Sequence, residues 1–257
     1  MKAPLKAPQV TQPPHPPLKA YYAHEGDRRG WVLDLFDRTA GDYDRLERIM
    51  ALGTGSWYRR RALRGAGLRP GMTVLDIGVG TGLVAREAAR IVGDPTRVLG
   101  VDPCAGMLDT AKVPPGVRLA SGSAESIPAP DASADFLSMG YALRHISDLS
   151  LAFREFYRVL KPGGRLCLLE ITRPDGACLR ALLKTYMRGV IPLAARLVAR
   201  HRDMPTLMRY YWDTIEACAP PPSIVAAITA AGFVDVRRHL ELGIFSEYRA
   251  VKPTGLY

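Results

Sequence analysis

Gly78, Gly80 and Gly82 stand between an apolar run, Val74, Leu75 and Ile77, and a helical stretch from Leu83 to Ile91. That order describes a buried strand, a tight turn and a helix start. Glycine lets backbone pass close to a bound group, and a helix N-terminus offers free N–H donors, so the turn can hold a nucleotide-like ligand. A second apolar run, Val98 to Val101, ends at Asp102, twenty residues after Gly82. In a doubly wound sheet a carboxylate at that place accepts hydrogen bonds from both hydroxyls of a ribose. The pairing suits a nicotinamide cofactor or S-adenosylmethionine. The dinucleotide fingerprint G-x-G-x-x-G needs a small residue at position 83, where this chain has Leu83. The observed G-x-G-x-G spacing fits the amino-acid end of S-adenosylmethionine, and with it the chemistry of methyl transfer.

The elements that position these residues follow from periodicity. Residues 1–19 carry prolines at 4, 8, 13, 14, 16 and 17, a composition expected to stay disordered. From Trp31 to Leu63 the pattern is helical, with Leu33, Phe36, Tyr43, Leu46, Met50 and Leu52 on one side and Asp42 or Asp44 as a candidate cap. Residues 20–68 are therefore read as a helical lid over the strand ends. Further strands are expected at Val117–Ala120, Asp135–Met139 and Arg165–Ile171, with a helix from Leu149 to Leu160 that stops before Lys161-Pro162-Gly163-Gly164. Residues 175–219 interrupt the strand–helix alternation with helical, basic, aromatic-containing sequence, read as a substrate cap. A helix over Ser223–Ala231 and strands over Val234–Leu242 and Phe245–Val251 complete the chain. The short connection at Gly243 joins the last two only as an antiparallel hairpin.

At 257 residues the chain has room for one large α/β unit. No run reaches the roughly 18 apolar residues of a membrane span. Its four cysteines, Cys104, Cys167, Cys178 and Cys218, lack metal-binding spacing, so no metal site is expected. With no secretory signal in view, a reducing cytoplasm is the expected setting. The net charge of +10 favours an anionic neighbour, whether a phosphate-bearing ligand, a membrane surface or nucleic acid.

Several stretches together resemble the UbiE/MenG family of class I S-adenosylmethionine-dependent C-methyltransferases. They are Phe36-Asp37-Arg38-Thr39-Ala40-Gly41-Asp42-Tyr43-Asp44, Met50-Ala51-Leu52-Gly53, the glycine turn, Ala124-Glu125-Ser126-Ile127-Pro128, Ala142-Leu143-Arg144-His145 and Tyr157-Arg158-Val159-Leu160-Lys161-Pro162-Gly163-Gly164. The likeness runs from about residue 34 to 174 and returns at Ala230-Ala231-Gly232-Phe233. It implies a Rossmann-like, doubly wound, seven-stranded, mostly parallel sheet with an antiparallel last strand and a helical cap, within one methyltransferase domain over residues 20–257. It also implies contact between the cofactor and Thr81, Asp102, Ser123 and Ala124, with Met107 against adenine. Asp76, Gly78, Gly80, Gly82 and Gly140 complete the expected cofactor set. Ser123, Gly140 and His145 depart from the family pattern.

For catalysis the candidates are His145 as base, because imidazole titrates near neutral pH, Arg144 to orient an acceptor oxygen, and Tyr43 to close over the methionine end. Tyr141, Tyr210, Tyr211 and Asp213 are expected to line the acceptor pocket. The acceptor is expected to be a small apolar or prenylated aromatic, quinol-like molecule, methylated on carbon. Phospholipid headgroup N-methylation is the alternative, and RNA methylation ranks below both. Leu179, Leu182, Leu183, Tyr186 and Met187 with Lys184, Arg188, Arg196 and Arg200 suggest a cap that touches the inner face of a membrane.

Overall fold

A computed structural model describes residues 12–255. Val74, Leu75, Asp76 and Ile77, all buried, form β1 (Val74–Ile77), flanked in parallel by β2 (Val98–Asp102) and β4 (Ala134–Gly140). Leu75 lies opposite Leu99 on one side and Leu137 on the other. A strand paired on both edges and covered on both faces favours apolar residues, as at Val74, Leu75 and Ile77, and the buried Asp76 is satisfied by the Ser138 hydroxyl. The full order is β3-β2-β1-β4-β5-β7-β6, with β3 at Arg118–Ser121, β5 at Leu160–Ile171, β6 at Val234–Glu241 and β7 at Phe245–Val251. β7 pairs antiparallel with both β5 and β6, so it alone is reversed. The expected doubly wound sheet with its antiparallel last strand is the sheet observed.

The helices are α1 (Glu25–Met50), α2 (Gly55–Gly65), α3 (Leu83–Val92), α4 (Ala105–Asp109), α5 (Leu149–Val159), α6 (Ala177–Thr185), α7 (Ile191–Val198), α8 (Met204–Ala217) and α9 (Pro221–Ala230). On one face of the sheet Phe153 and Phe156 of α5 and Ile224 and Ile228 of α9 cover Leu137, Leu166 and Tyr248. On the other, Leu63 of α2 and Val84 and Ala88 of α3 cover Phe136 and Cys167. A third core joins Leu35 and Leu46 of α1 to Met208, Tyr210 and Trp212 of α8, so the N-terminal lid and the 175–219 cap share one apolar interior. Each such side chain contributes about 1.5–3 kcal/mol when fully buried, which makes this third core a fixed part of the fold.

Four boundaries differ from expectation. The disordered tail does not extend to residue 19: the Gln12 carbonyl accepts from Leu149 N, the Pro14 carbonyl accepts from Ala219 N, and His15 is buried. Residues 1–11 lie outside the described ones. α1 starts at Glu25 and runs unbroken through Asp42 and Asp44, so neither caps a helix. The prolines at 221 and 222 open α9, where their missing N–H groups cost nothing. Leu160 already pairs with Ala134, and the register shifts before Arg165 meets Phe136, so Lys161–Gly164 form a bulge inside β5.

Candidate functional site

Gly78 and Gly80 turn the chain at the carboxyl end of β1 with φ of +67° and +51°. A Cβ on Gly80 meets no atom within 4 Å, so the turn presents open backbone there, whereas one on Gly78 lies 2.6 Å from the Ala142 Cβ. Asp102 is buried beside this opening. Its Oδ2 accepts from Gly80 N at 2.8 Å and its Oδ1 from Cys104 N at 2.9 Å. A carboxylate offers about four lone-pair sites, so two remain for a ligand diol. Burial raises the Asp102 pKa, and the two backbone donors oppose that rise.

α1 closes this side through residues seven apart, which lie on one helix face. Asp37 accepts from Gly106 N at 2.6 Å and from the Cys104 thiol at 2.9 Å, while Asp44 accepts from the Thr81 hydroxyl. Phe36 and Tyr43, with the same spacing, add their rings to the wall. The cavity of about 130 Å³ so formed is completed by Met107, Ser123, Ala124, Gly140, Tyr141 and His145. A carboxylate with free lone pairs, a glycine cradle and apolar walls fit S-adenosylmethionine. Asp102 would hold the ribose, Gly78 and Gly80 would admit the amino-acid portion, and Met107 would flank the base.

A second cavity, of about 430 Å³, shares Tyr43, Gly78, Gly80, Gly140, Tyr141 and Tyr211 with the first. The Tyr211 hydroxyl donates to that of Tyr43 at 2.9 Å across the junction. Both phenols are raised, by burial first, and so remain protonated donors at neutral pH. Beyond them the walls are mostly apolar, including Met50, Ile171, Leu183, Met187 and Phe245, with Arg59 and Arg144 as buried charges and Glu47 half-buried. Arg59 pairs with Glu47 at 2.5 Å, joining α2 to α1.

Arg144 is 1% exposed and paired with Glu170 of β5; its Nε donates to Thr214 at 3.1 Å and its guanidinium carbon lies 5.0 Å from the Tyr211 ring centre. Burial works most strongly against its charge, and Glu170 together with Tyr211, Tyr43 and Cys218 outweighs that, leaving its pKa raised. Arg28 of α1 donates to the carbonyls of Arg144 and Ile146, which fixes the loop.

The structure brings together most of the expected cofactor residues and corrects the rest. Asp76 lines neither cavity. It faces β4, where the Ser138 hydroxyl donates to it at 2.7 Å, and burial pushes its pKa up to about 7. Gly82 is the N-cap of α3 and serves packing, since a Cβ there would lie 2.4 Å from Val113 Cγ1. On α8, successive side chains rotate by about 100°, so only Tyr211 of the expected acceptor residues there faces the cavities. Tyr210 turns to Trp31 and Tyr21 at ring separations of 5.0 and 5.2 Å, and Asp213 accepts from the Tyr21 hydroxyl at 2.6 Å. His145 lines the first cavity and not the second. Its ring lies among Phe36, Tyr210 and Tyr211, at 5.2, 5.6 and 5.9 Å, with both nitrogens sealed from solvent and unpartnered among the described residues. Burial, then the Arg144 charge, holds its pKa well below 6.5, so the expected titration near neutrality is corrected. Glu47 and Arg59, which line the second cavity, carry no signal in the sequence that singles them out, whereas the heptad spacing of Asp37 and Asp44, which brace the loops beside the cavities, marks a shared face.

The profile of the ubiE/COQ5 methyltransferase family matches residues 23–252. A ubiquinone/menaquinone biosynthesis C-methyltransferase from Ectopseudomonas mendocina is 31% identical over 237 residues, covering 89% of this chain and 91% of that one. A 2-phytyl-1,4-naphtoquinone methyltransferase from Thermosynechococcus vestitus is 33% identical, covering 82% and 94%. Among solved structures, a possible histamine N-methyltransferase from Thermotoga maritima superposes with a TM-score of 0.60 at 21% identity, over 86% of this chain and 99% of that one, a likeness of fold. With its glycine turn, the buried carboxylate beside that turn and its match over nearly the whole described length, this chain belongs to the ubiE/COQ5 family of S-adenosylmethionine-dependent methyltransferases.

Proposed function

We propose that the protein methylates a ring carbon of a small, apolar, quinol-like acceptor bearing a hydrocarbon tail. The observation that carries this reading is the larger cavity, mostly apolar, that meets the cofactor cavity at Tyr43, Gly80, Tyr141 and Tyr211. S-adenosylmethionine supplies an already activated methyl group, so the chain's task is alignment and exclusion of water. Positioning of this kind is worth about 7–11 kcal/mol. The Tyr211 hydroxyl donates to Tyr43, which leaves the Tyr43 proton to donate at the junction, and Tyr141 narrows it. The buried Arg144 guanidinium beside Tyr211 favours the ionised form of an acceptor hydroxyl, which raises electron density at the attacking carbon. His145 walls the cofactor side. The names of the relatives support the same acceptor class. Asp102, Gly78, Gly80, Met107, Ser123, Ala124 and Gly140 act on the cofactor side in this reading, whereas Thr81 lines the larger cavity and donates its hydroxyl to Asp44. The protein works in the cytoplasm and draws its acceptor from the membrane's inner face; no described helix is long and apolar enough to cross a bilayer.

The test is mass spectrometry of lipid extracts from cells with and without the gene, together with labelled methyl transfer to candidate quinols by the purified protein. The expected result is a quinol precursor lighter by one CH₂ that accumulates when the gene is absent. Accumulation of an undermethylated phospholipid headgroup, with quinones unchanged, overturns the reading.

A further inference from the structure

The second cavity opens through a rim that shows apolar side chains to solvent. Leu52, Trp57 and Leu242 line the cavity and are 82%, 63% and 76% exposed. Leu52 lies in the turn after α1, Trp57 in the first turns of α2, and Leu242 in the turn between β6 and β7. Leu52 and Leu242 also hold φ of +48° and +53°, the left-handed region where glycine or asparagine is at ease. Two turn apices thus keep a leucine in a backbone state and a solvent that both disfavour it, and neither cost is offset by packing inside the fold.

The edges of the rim touch. The Tyr58 and Phe245 rings are 5.0 Å apart, and Arg61 lies 5.7 Å from the Trp57 ring centre and 2.9 Å from Glu241. α2 carries four arginines and no acidic residue, and Trp57, Arg61 and Arg64 share one exposed face at i, i+4 and i+7. Glu87 and Glu241 partner Arg60 and Arg61, and the chain as a whole keeps its excess of positive charge.

We propose that this rim rests on an anionic lipid bilayer, with Leu52, Trp57 and Leu242 in the boundary between headgroups and acyl chains and the cavity mouth facing the lipid. The proposal rests on the reading of that cavity as the acceptor's site and assigns the membrane contact to particular residues. Of the cap residues expected at a membrane, Leu183 and Met187 are buried, whereas Leu179 and Leu182 of α6 are exposed and remain available to the same contact. Apolar tips beside guanidinium groups suit a surface that is greasy below and phosphate-bearing above. A second copy of the chain would set arginines against arginines across a two-fold axis, and it would leave the cavity mouth plugged.

Trp57 is the exposed one of the three tryptophans, since Trp212 is fully buried and Trp31 is half-buried, so intrinsic fluorescence reads the rim directly. The expected result is a blue shift and co-flotation when the full-length protein meets vesicles of mixed phosphatidylcholine and phosphatidylglycerol, weakened by salt and by omission of the anionic lipid. Leu52→Asn with Leu242→Asn, a residue that tolerates the left-handed backbone, should weaken vesicle binding at least about tenfold with the thermal transition retained. Trp57→Phe should abolish the shift. Absence of any shift or flotation, or binding that the double variant leaves intact, overturns the proposal, as does a blue shift that tracks protein concentration without lipid and marks self-association. Cofactor binding heat and methyl transfer in detergent solution are scored separately, so failure of the docking surface and failure of the acceptor reading are told apart.

Discussion

The two cavities that meet at Tyr43 and Tyr211 are built in different ways. The cofactor side rests on strand ends close in the sequence and the sheet: the turn after β1, the carboxylate at the end of β2, and the loop after β3 with Ser123 and Ala124. Its polar contacts are backbone N–H groups held by a carboxylate, as at Gly80 and Cys104. The larger cavity is assembled from α1, α2, the end of β5, α6, α8 and the turn before β7, drawn from across the chain between Tyr43 and Phe245. Its walls are side chains, and its charged residues Arg59 and Arg144 are held by Glu47 and Glu170. A site made of backbone is rigid whatever the neighbouring side chains are. One made of side chains is free to change its occupant.

That contrast is broken most directly at Arg144. Arg144→Met leaves Glu170 buried without its partner, so the fold should lose about 3–5 kcal/mol, read by chemical denaturation. Arg144→Met combined with Glu170→Met should recover most of that stability and, if Arg144 serves the acceptor as proposed, still transfer methyl poorly. If the single variant keeps full stability and loses only turnover, Arg144 is held by the acceptor and not by Glu170. A smaller effect is expected on the other side. Asp102→Ala removes the group that orders Gly80 and Cys104 and that would take the ribose, so affinity for S-adenosylmethionine in calorimetry should fall roughly ten- to a hundredfold. Near-normal affinity would show that the glycine cradle binds without its carboxylate and would undo the comparison.

The same contrast governs how much could be read in advance. β7 occupies Phe245–Val251, the bounds expected for it, and the turn at Gly243 dictated its reversal, because alternation and turn length are local properties. Gly78, Gly80 and Asp102 were legible for the same reason. On α8 locality fails: Tyr210, Tyr211 and Asp213 are close neighbours, and which one faces the site depends on Tyr21, Trp31 and Arg188, up to about 190 residues away. Gly82 was misplaced because its neighbour, Val113, comes from a distant loop. Asp42 shows the limit clearly. Its side chain accepts from the backbone of Arg200 and His201 at 2.7 and 2.8 Å, so a residue suited to capping its own helix ties down the cap segment instead.

His145 gives the smallest and sharpest test, because it packs beside Tyr211 of the junction and lines only the first cavity. Burial, then the Arg144 charge, holds its pKa well below 6.5, so the imidazole stays neutral around neutrality and the rate profile should show no inflection from it there. The unfolded chain does bind a proton below about 6.5, so the unfolded state holds more protons there and the native state loses stability as the pH falls. The loss should approach about 1.4 kcal/mol per pH unit below 6.5 until the folded pKa is reached. His145→Gln removes that proton uptake. The variant should therefore hold its stability from pH 7 to 5 better than the parent does, with superimposable pH–rate curves. If the parent shows a rate inflection near neutrality that the variant lacks, the imidazole exchanges a proton with the acceptor during turnover, and the division between a backbone-built cofactor side and a side-chain-built acceptor side no longer holds at this residue.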